Sequence, residues 1–504
     1  MYGKDGWLSM TSHTLSYNDP LFFLIFLPVF VCIYGISKPK IRKWVLLVFN
    51  YVFLLFWSKK LVIWQLAIVV ISWVTGKLLG HTKHKKAVLT VSILSVLGIL
   101  GYLKYYNFIG SLLPIEFTAK QLAMPVGVSY YSLQAVSYVV DLYNGKLETP
   151  ASLISLCNYL SFFPTVVEGP ITRYSELKEE LEQCHGVTYD NLRIGFIRII
   201  FGLYKKMILA DRINPVVNTL FNSYTANGFL CVLAAVLCTI QLYMDFSGTI
   251  DIAIGAARMF GFVLPENFRQ PFFAKNASDF WRRWHITLGT FLKDYVFYPV
   301  SLSKPIRKLT KYARKHWGKT AAKFLGPSIA FFCVWMGNGV WHGPNWTYIG
   351  YGMYYFVLVL LELFLEGPLK KSKINTESTG FKIFRFIKLC IIVAIGEMFF
   401  RASTFAQGWT MFTSMFTSFQ LQQGLEIIPS LGLTGKEWIA LCLLFIPVIV
   451  VSVLKERGMQ VEEKILSLRT PYRWTILYSI MIAVILFGAY GPGYDAVAMM
   501  YANF

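Results

Sequence analysis

Apolar segments recur along this chain from residue 21 to residue 490, and no long polar block separates them. By length alone, 504 residues could make about three soluble domains. Soluble domains need a charged surface, with about a quarter of residues ionisable, whereas here 15% are charged and 55% are hydrophobic. The recurrence therefore points to one domain that meets lipid. Hydrocarbon cannot hydrogen-bond an open backbone, so the long apolar runs are expected to be helices. There are twelve candidates: 21–36, 44–57, 61–79, 87–103, 151–167, 192–210, 228–245, 325–341, 345–366, 381–400, 437–454 and 474–490. Several fall short of the roughly 20 residues that a perpendicular span needs, so some must tilt, re-enter or lie buried in protein. The expected fold class is an all-α polytopic membrane protein. It has a polar segment at 1–20, one transmembrane domain at 21–490 with a basic loop at 303–324, and a tail at 491–504.

The formal charge is +21, but the basic residues sit in short loops between apolar spans, as the positive-inside bias requires. They do not form a nucleic-acid surface, and no nucleic-acid partner is expected. The densest block runs from Lys304 to Lys323, with eight basic residues and no acidic one. Its plain interpretation is a cytoplasmic loop near anionic lipid headgroups; a dock for an anionic cytoplasmic donor is the sharper one. The basic loops 37–43 and 80–86 would share one side, which puts the N-terminus outside. No cleavable signal is expected at the N-terminus, Met10 is an alternative start, and no internal repeat suggests a transporter of inverted halves. Eight cysteines without a CxxC pair exclude a disulfide scaffold and a zinc ribbon.

Function in a membrane protein is best sought where polar groups are kept at apolar depth. Residues 324–361 contain no Asp, Glu, Lys or Arg. A continuous helix of that length would far exceed the hydrocarbon thickness, so the run must bend. The bend is expected at Trp341-His342-Gly343-Pro344-Asn345-Trp346, with Gly337-Asn338-Gly339 also opening the backbone. His342 is the one side chain there that trades a proton near neutral pH; a purely structural histidine fits the same pattern. Trp341 and Trp346 could be interfacial anchors or the walls of an acyl slot.

A second place is Asn276 to Leu288. Ser278 is expected to cap a helix there, with Asp279 pairing with Arg282 or Arg283. Trp281 and His285 would share one face of it, and Trp284 and Leu288 another. An interfacial helix rich in Arg and Trp accounts for everything in it except His285. A third is Asp245-Phe-Ser247-Gly248 onward. There an apolar span is expected to end at Asp245, break, and resume as a short helix with Asp251 and Arg258 on one face and Gly261 at its end. A buried pair holding helices together is the plainer interpretation. No nucleophile elbow, phosphate loop or zinc-protease motif accompanies these residues. The chemistry left is a histidine general base in a polar pocket, acting on an acceptor hydroxyl that attacks a thioester.

Ordered fragments then carry a resemblance. Met124-Pro-Val-Gly-Val-Ser-Tyr130 is followed by Gln134, Ser137, Tyr138 and Asp141. Phe162-Phe-Pro164, Glu168-Gly-Pro-Ile-Thr-Arg-Tyr174, Asp245-Phe-Ser-Gly248, Met259-Phe-Gly-Phe262, Pro265-Glu-Asn-Phe268, Phe280-Trp-Arg-Arg-Trp-His285 and Trp341-His-Gly343 come after, in order. The chain resembles the membrane-bound O-acyltransferase superfamily over roughly residues 15–420, in the bacterial branch that holds alginate O-acetyltransferase and teichoic-acid D-alanyltransferase membrane components. The resemblance implies a ring of about 11–12 transmembrane or re-entrant helices around a central tunnel. It implies His342 as the catalytic base and His285 as the second polar residue, with Trp341, Asn345, Trp281, Arg282, Arg283, Asp245 and Ser247 shaping the site.

The same resemblance implies transfer of a short acyl group, acetyl first, to hydroxyls of a cell-surface polysaccharide, with D-alanyl transfer toward teichoic acid from a carrier protein as the rival. No bound cofactor is implied; acetyl-CoA or an acylated carrier protein is the co-substrate. The implied setting is a bacterial plasma membrane, with an extracytoplasmic SGNH-type partner and, on the donor side, an acyl carrier protein. A transporter would need charged or polar residues spread through several spans, or paired halves, and a non-catalytic scaffold would need neither histidine. The chain departs from the alginate pattern at Val300 to Pro305, where Pro-Leu-Gly-Gly-Asn-Arg is usual, and at Glu168, where alanine is common.

Overall fold

The computed structural model describes residues 20–114, 117–371 and 375–490, so the expectations for the N-terminal segment through residue 19, for Met10 and for the tail 491–504 lie outside the described residues. Most of the described residues are helical, and no strand is found among them. All eight cysteines are free thiols.

Among the described residues, seven helical stretches are long and apolar enough to cross a membrane: Pro39–His81, Lys85–Leu112, Gly228–Met259, Gly318–His342, Trp346–Leu365, Gly435–Glu456 and Thr470–Phe487. The elements that place the site can be named in order. They begin with α1 (Leu27–Ile36), α2 (Pro39–Ser58) and α3 (Val62–His81), the last two separated by a break at Lys59. Next come α4 (Lys85–Leu100), prolonged by a π turn at Gly101–Tyr105, then α5 (Val128–Tyr143), α6 (Tyr189–Leu203) and α7 (Gly228–Met259). The short α8 (Ala277–Trp281) and α9 (Ile286–Leu292) lead to α10 (Lys304–His316), α11 (Gly318–His342), α12 (Trp346–Lys371) and α13 (Thr379–Arg401). The chain closes with α14 (Gly435–Glu456) and α15 (Thr470–Phe487).

The structure departs from several of these expectations. The stretch 151–167 is not a span: only Leu153–Leu160 is helical. Pro164 and Gly169-Pro170 keep the chain beyond it out of a long helix, and Phe163 is fully buried among Phe22, Phe26, Phe30, Phe53 and Phe260. This segment fills the core as an aromatic wedge. The chain also does not break after Asp245, because α7 runs unbroken for 32 residues. Gly248 serves close helix packing instead. A Cβ there would stand 2.9 Å from the Gly202 carbonyl oxygen, and one on Gly202 would stand 2.6 Å from the Gly248 oxygen. Gly195 and Gly255 repeat the arrangement seven residues along, so α6 and α7 cross antiparallel on small residues, as close membrane helices do.

The basic block is a helix and not a loop. Ser303 caps α10 by accepting from the Ile306 N–H, Pro305 suits its first turn, and Ala313 is buried. Ile306 and Thr310 lie against Gly326 of α11, so the basic side chains are displayed on a packed scaffold. The uncharged run bends where expected: α11 ends at His342, Gly343 is extended, and α12 starts at Trp346. Gly337-Asn338-Gly339, expected to open the backbone, remain helical. A Cβ on Gly339 would stand 3.1 Å from the Ile349 Cα, so glycine there lets α11 and α12 approach as a hairpin.

The acid–base pairs of α7 tie helices together, but with partners other than those expected. Asp251 accepts from Arg198, at 2.9 Å, and from Lys205, at 2.6 Å, and not from Arg258. Asp245 pairs with Lys206 at 2.7 Å, and Lys206 also reaches Asp211 at 2.7 Å. Gly261 ends α7 with φ +93°, as expected.

Candidate active site

His342 is the last residue of α11 and is 3% exposed. Its ring stands 5.0 Å from Trp341 and 5.0 Å from Phe400, with Tyr351 at 6.1 Å and Tyr348 at 6.2 Å. Helices α11, α12 and α13 thus enclose the imidazole in aromatic walls. Nearby on the same helices, Tyr351 donates its hydroxyl to the buried carboxyl of Glu397 at 3.1 Å.

His285 is 2% exposed, and the chain reaches it by a route that local sequence does not announce. The single helix expected from Ser278 to Leu288 is broken. Asn276, not Ser278, is the cap, accepting the Asp279 N–H at 2.8 Å. Ser278 lies inside the first turn and gives its N–H and hydroxyl to Glu362, which also accepts from the Ala277 N–H. Helix α8 ends at Trp281, and His285 adopts φ +45°, ψ +51° before α9 begins. Few residues other than glycine occupy that left-handed region. Trp281 and His285 therefore do not share a helical face. Trp281 packs edge-on to Trp335, at 5.0 Å, and Tyr355, at 4.8 Å.

Asn267 holds the turn. Its Oδ1 accepts the Thr287 N–H at 3.1 Å and the Thr287 hydroxyl at 2.9 Å, and its carbonyl accepts the Ile286 N–H. A backbone N–H can only donate, so the amide oxygen must face this way. The His285 Nδ1, 3.2 Å from the same oxygen, must then carry its proton, which makes Nε2 the basic nitrogen. Burial pushes the His285 imidazole down to about 3, so it is neutral at physiological pH. The Thr287 hydroxyl also accepts the Ile171 N–H at 3.0 Å, joining this turn to the Glu168–Tyr174 segment.

The two histidines meet at Trp341. Its ring lies 5.7 Å from His285 and 5.0 Å from His342. The other expected residues divide. Trp341 and Trp281 line the aromatic enclosure. Arg283 pairs with Asp279 at 3.4 Å and with Glu456 of α14 at 2.8 Å, while Arg282 is exposed. Asp245 and Ser247 turn their polar atoms to Lys206 and Lys205, and Phe246 between them meets the His285 ring edge-on at 4.9 Å. Asn345 closes the elbow, donating to the Ser403 carbonyl and accepting from the Thr347 N–H, each at 3.1 Å. It lines a cavity of about 590 Å³ with Trp346, Ile349, Gly350, Ser403, Thr404 and Phe405; neither histidine lines it.

Asn267, Glu362 and Lys104 were not singled out from the sequence. Lys104 carried a usable signal, as the one charged residue between 87 and 112. It is buried, with Nζ donating to the Trp341 carbonyl at 2.7 Å and to Ser129 Oγ at 3.0 Å. Among the described residues, no cluster of three or more His, Cys, Asp or Glu side chains comes together.

This arrangement can be set beside known proteins. The profile of the membrane-bound O-acyltransferase family matches residues 8–404. A probable alginate O-acetylase of Azotobacter vinelandii is 30% identical over 414 residues, covering 80% of this chain and 78% of that protein. A peptidoglycan O-acetyltransferase of Helicobacter pylori is 26% identical over 85% of this chain and 81% of its own length. A teichoic acid D-alanyltransferase of Bacillus subtilis is 33% identical over 49% of this chain and 61% of its own.

Proposed function

The chain belongs to the membrane-bound O-acyltransferase family, and from that premise we propose that it moves acetyl groups from a cytoplasmic thioester to hydroxyls of a cell-surface polysaccharide, with His342 as general base. The observation that carries this is the convergence of two buried histidines, distant in sequence, on the Trp341 ring. The breadth of similarity to relatives named for O-acetylation, 80% and 85% of the chain against 49% for the D-alanyl relative, favours acetyl over D-alanyl. His342 takes the proton of the acceptor hydroxyl as its oxygen attacks the thioester carbonyl. The tetrahedral centre collapses, the carbon–sulfur bond breaks, and the thiolate leaves with the proton from His342. His285, held with Nε2 unprotonated, accepts a hydrogen bond that orients the reactants. The donor is acetyl-CoA or an acylated carrier, the setting is a bacterial plasma membrane, and an SGNH-type partner outside completes delivery to the polymer.

The test measures acetate and D-alanine released by mild alkali from isolated envelope polymer, in cells carrying each variant at matched membrane abundance. Wild type is expected to release acetate above a deletion strain. His342→Ala should lose about 10²–10⁴-fold in rate, the range for a positioned general base, without loss of folded protein. Release of D-alanine instead would move the substrate to the teichoic-acid branch. Full acylation by His342→Ala would remove the catalytic assignment.

A further inference from the structure

The orientation of His342 depends on the last turn of α11, and two carbonyls of that turn have no partner within the helix. In an α-helix the Val340 carbonyl would accept the N–H of residue 344, but that residue is proline and has none. The Trp341 carbonyl would accept from Asn345, whose N–H is drawn instead to the Gly343 carbonyl at 2.9 Å. Two consecutive carbonyls next to the histidine are thus left open, and away from water an unpaired carbonyl is destabilising. Two consecutive side chains from one distant helix take them. The Tyr105 hydroxyl donates to the Val340 carbonyl, and Lys104 Nζ donates to the Trp341 carbonyl at 2.7 Å. Both belong to the π turn Gly101–Tyr105, a device that occurs often at functional sites.

Lys104 is held from behind by Ser129 Oγ at 3.0 Å, and the Trp341 Nε1–H points to the Ser129 carbonyl at 3.4 Å. Among the described residues no carboxylate pairs with Lys104, which is 7% exposed. A buried ammonium at membrane depth is costly, so its retention calls for a role that an apolar residue could not fill. We infer that Lys104 and Tyr105 are positioning residues for acyl transfer, fixing the His342 turn by its two open carbonyls. The inference rests on the proposed acyl transfer by His342.

Two measurements separate it from a merely structural role. The first is alkali-released acyl ester per folded protein, in cells expressing wild type, Lys104→Met, Lys104→Arg and Tyr105→Phe. The second is amide hydrogen exchange of residues 339–347 in detergent-solubilised protein. Lys104→Met should lose about 10²-fold in ester formation, the cost of a misplacement near 1 Å in a catalytic group, and should speed exchange in that segment. Lys104→Arg, which keeps a charged donor, should recover part of both. Tyr105→Phe should show smaller losses of the same kind, and it carries the test if Lys104→Met does not accumulate. Wild-type ester and exchange in both variants would overturn the inference, and so would lost ester with unchanged exchange. If wild type forms no more ester than the deletion strain, the acyl-transfer reading fails, while the exchange measurement still decides whether the two side chains hold the turn.

Discussion

At the scale of single residues, the two histidines could be read from sequence because their chemistry is rare in so apolar a chain. Asn267 could not, since its role exists only once His285 is left-handed and Thr287 faces it. That role has a measurable size. Asn267→Leu removes the acceptor of three donors, and one buried donor left without a partner costs about 1–3 kcal/mol. Thermal melting in detergent should fall accordingly, with ester formation reduced as the His285 ring loses its tautomer. The pH dependence has a definite sign. Burial holds His285 at about 3 when folded, against about 6.5 when unfolded, so below pH 6.5 the unfolded chain binds more protons. Its contribution to stability is full above that pH and declines on acidification, by about 1.4 kcal/mol per pH unit. Melting followed from pH 7.5 to pH 5 should fall less steeply in His285→Asn, whose side chain also tolerates the left-handed backbone. An equal slope in the two proteins would show that other groups dominate.

At the scale of elements, apolar runs were legible and their ends were not. The α8–α9 break falls in Trp281-Arg-Arg-Trp-His285, which contains no glycine or proline, so local pattern favours one helix and tertiary contacts to Glu362 and Asn267 override it. Gly248 misleads in the opposite direction, since it looks like a breaker and is a packing surface. Two substitutions separate propensity from packing. Both Gly98, in α4, and Gly202, in α6, are helical, and alanine is favoured in a helix by about 1 kcal/mol. Nothing lies within 4 Å of a Cβ on Gly98, whereas one on Gly202 would meet the Gly248 oxygen at 2.6 Å. Gly98→Ala should therefore hold or raise the melting temperature. Gly202→Ala should lower it, because overpacking typically costs about 1–3 kcal/mol.

At the scale of the whole molecule, seven stretches among the described residues suit a membrane crossing, against twelve apolar runs in the sequence. Two of the runs, 44–57 and 61–79, fall within the single stretch Pro39–His81, and others fall short of a crossing, among them 151–167, which packs inward as the aromatic wedge at Phe162-Phe163 because hydropathy alone cannot tell lipid from a protein interior. The basic residues of α10 are expected to face the cytoplasm. Single cysteines at the exposed positions Lys311 and Lys315, in an otherwise cysteine-free chain, should resist an impermeant thiol reagent in intact cells and react after lysis. Labelling of intact cells would invert the topology. The Arg283–Glu456 pair reaches further than geometry. Glu456 follows Arg283 by 173 residues and lies beyond residue 404, where the family match stops. At roughly 5–20 residues per second of synthesis, Arg283, two residues before His285, waits about 9–35 s for this partner to leave the ribosome. During that interval the half-built site is exposed to quality control, so a nascent chain stalled before α14 should be a preferred target of membrane proteases.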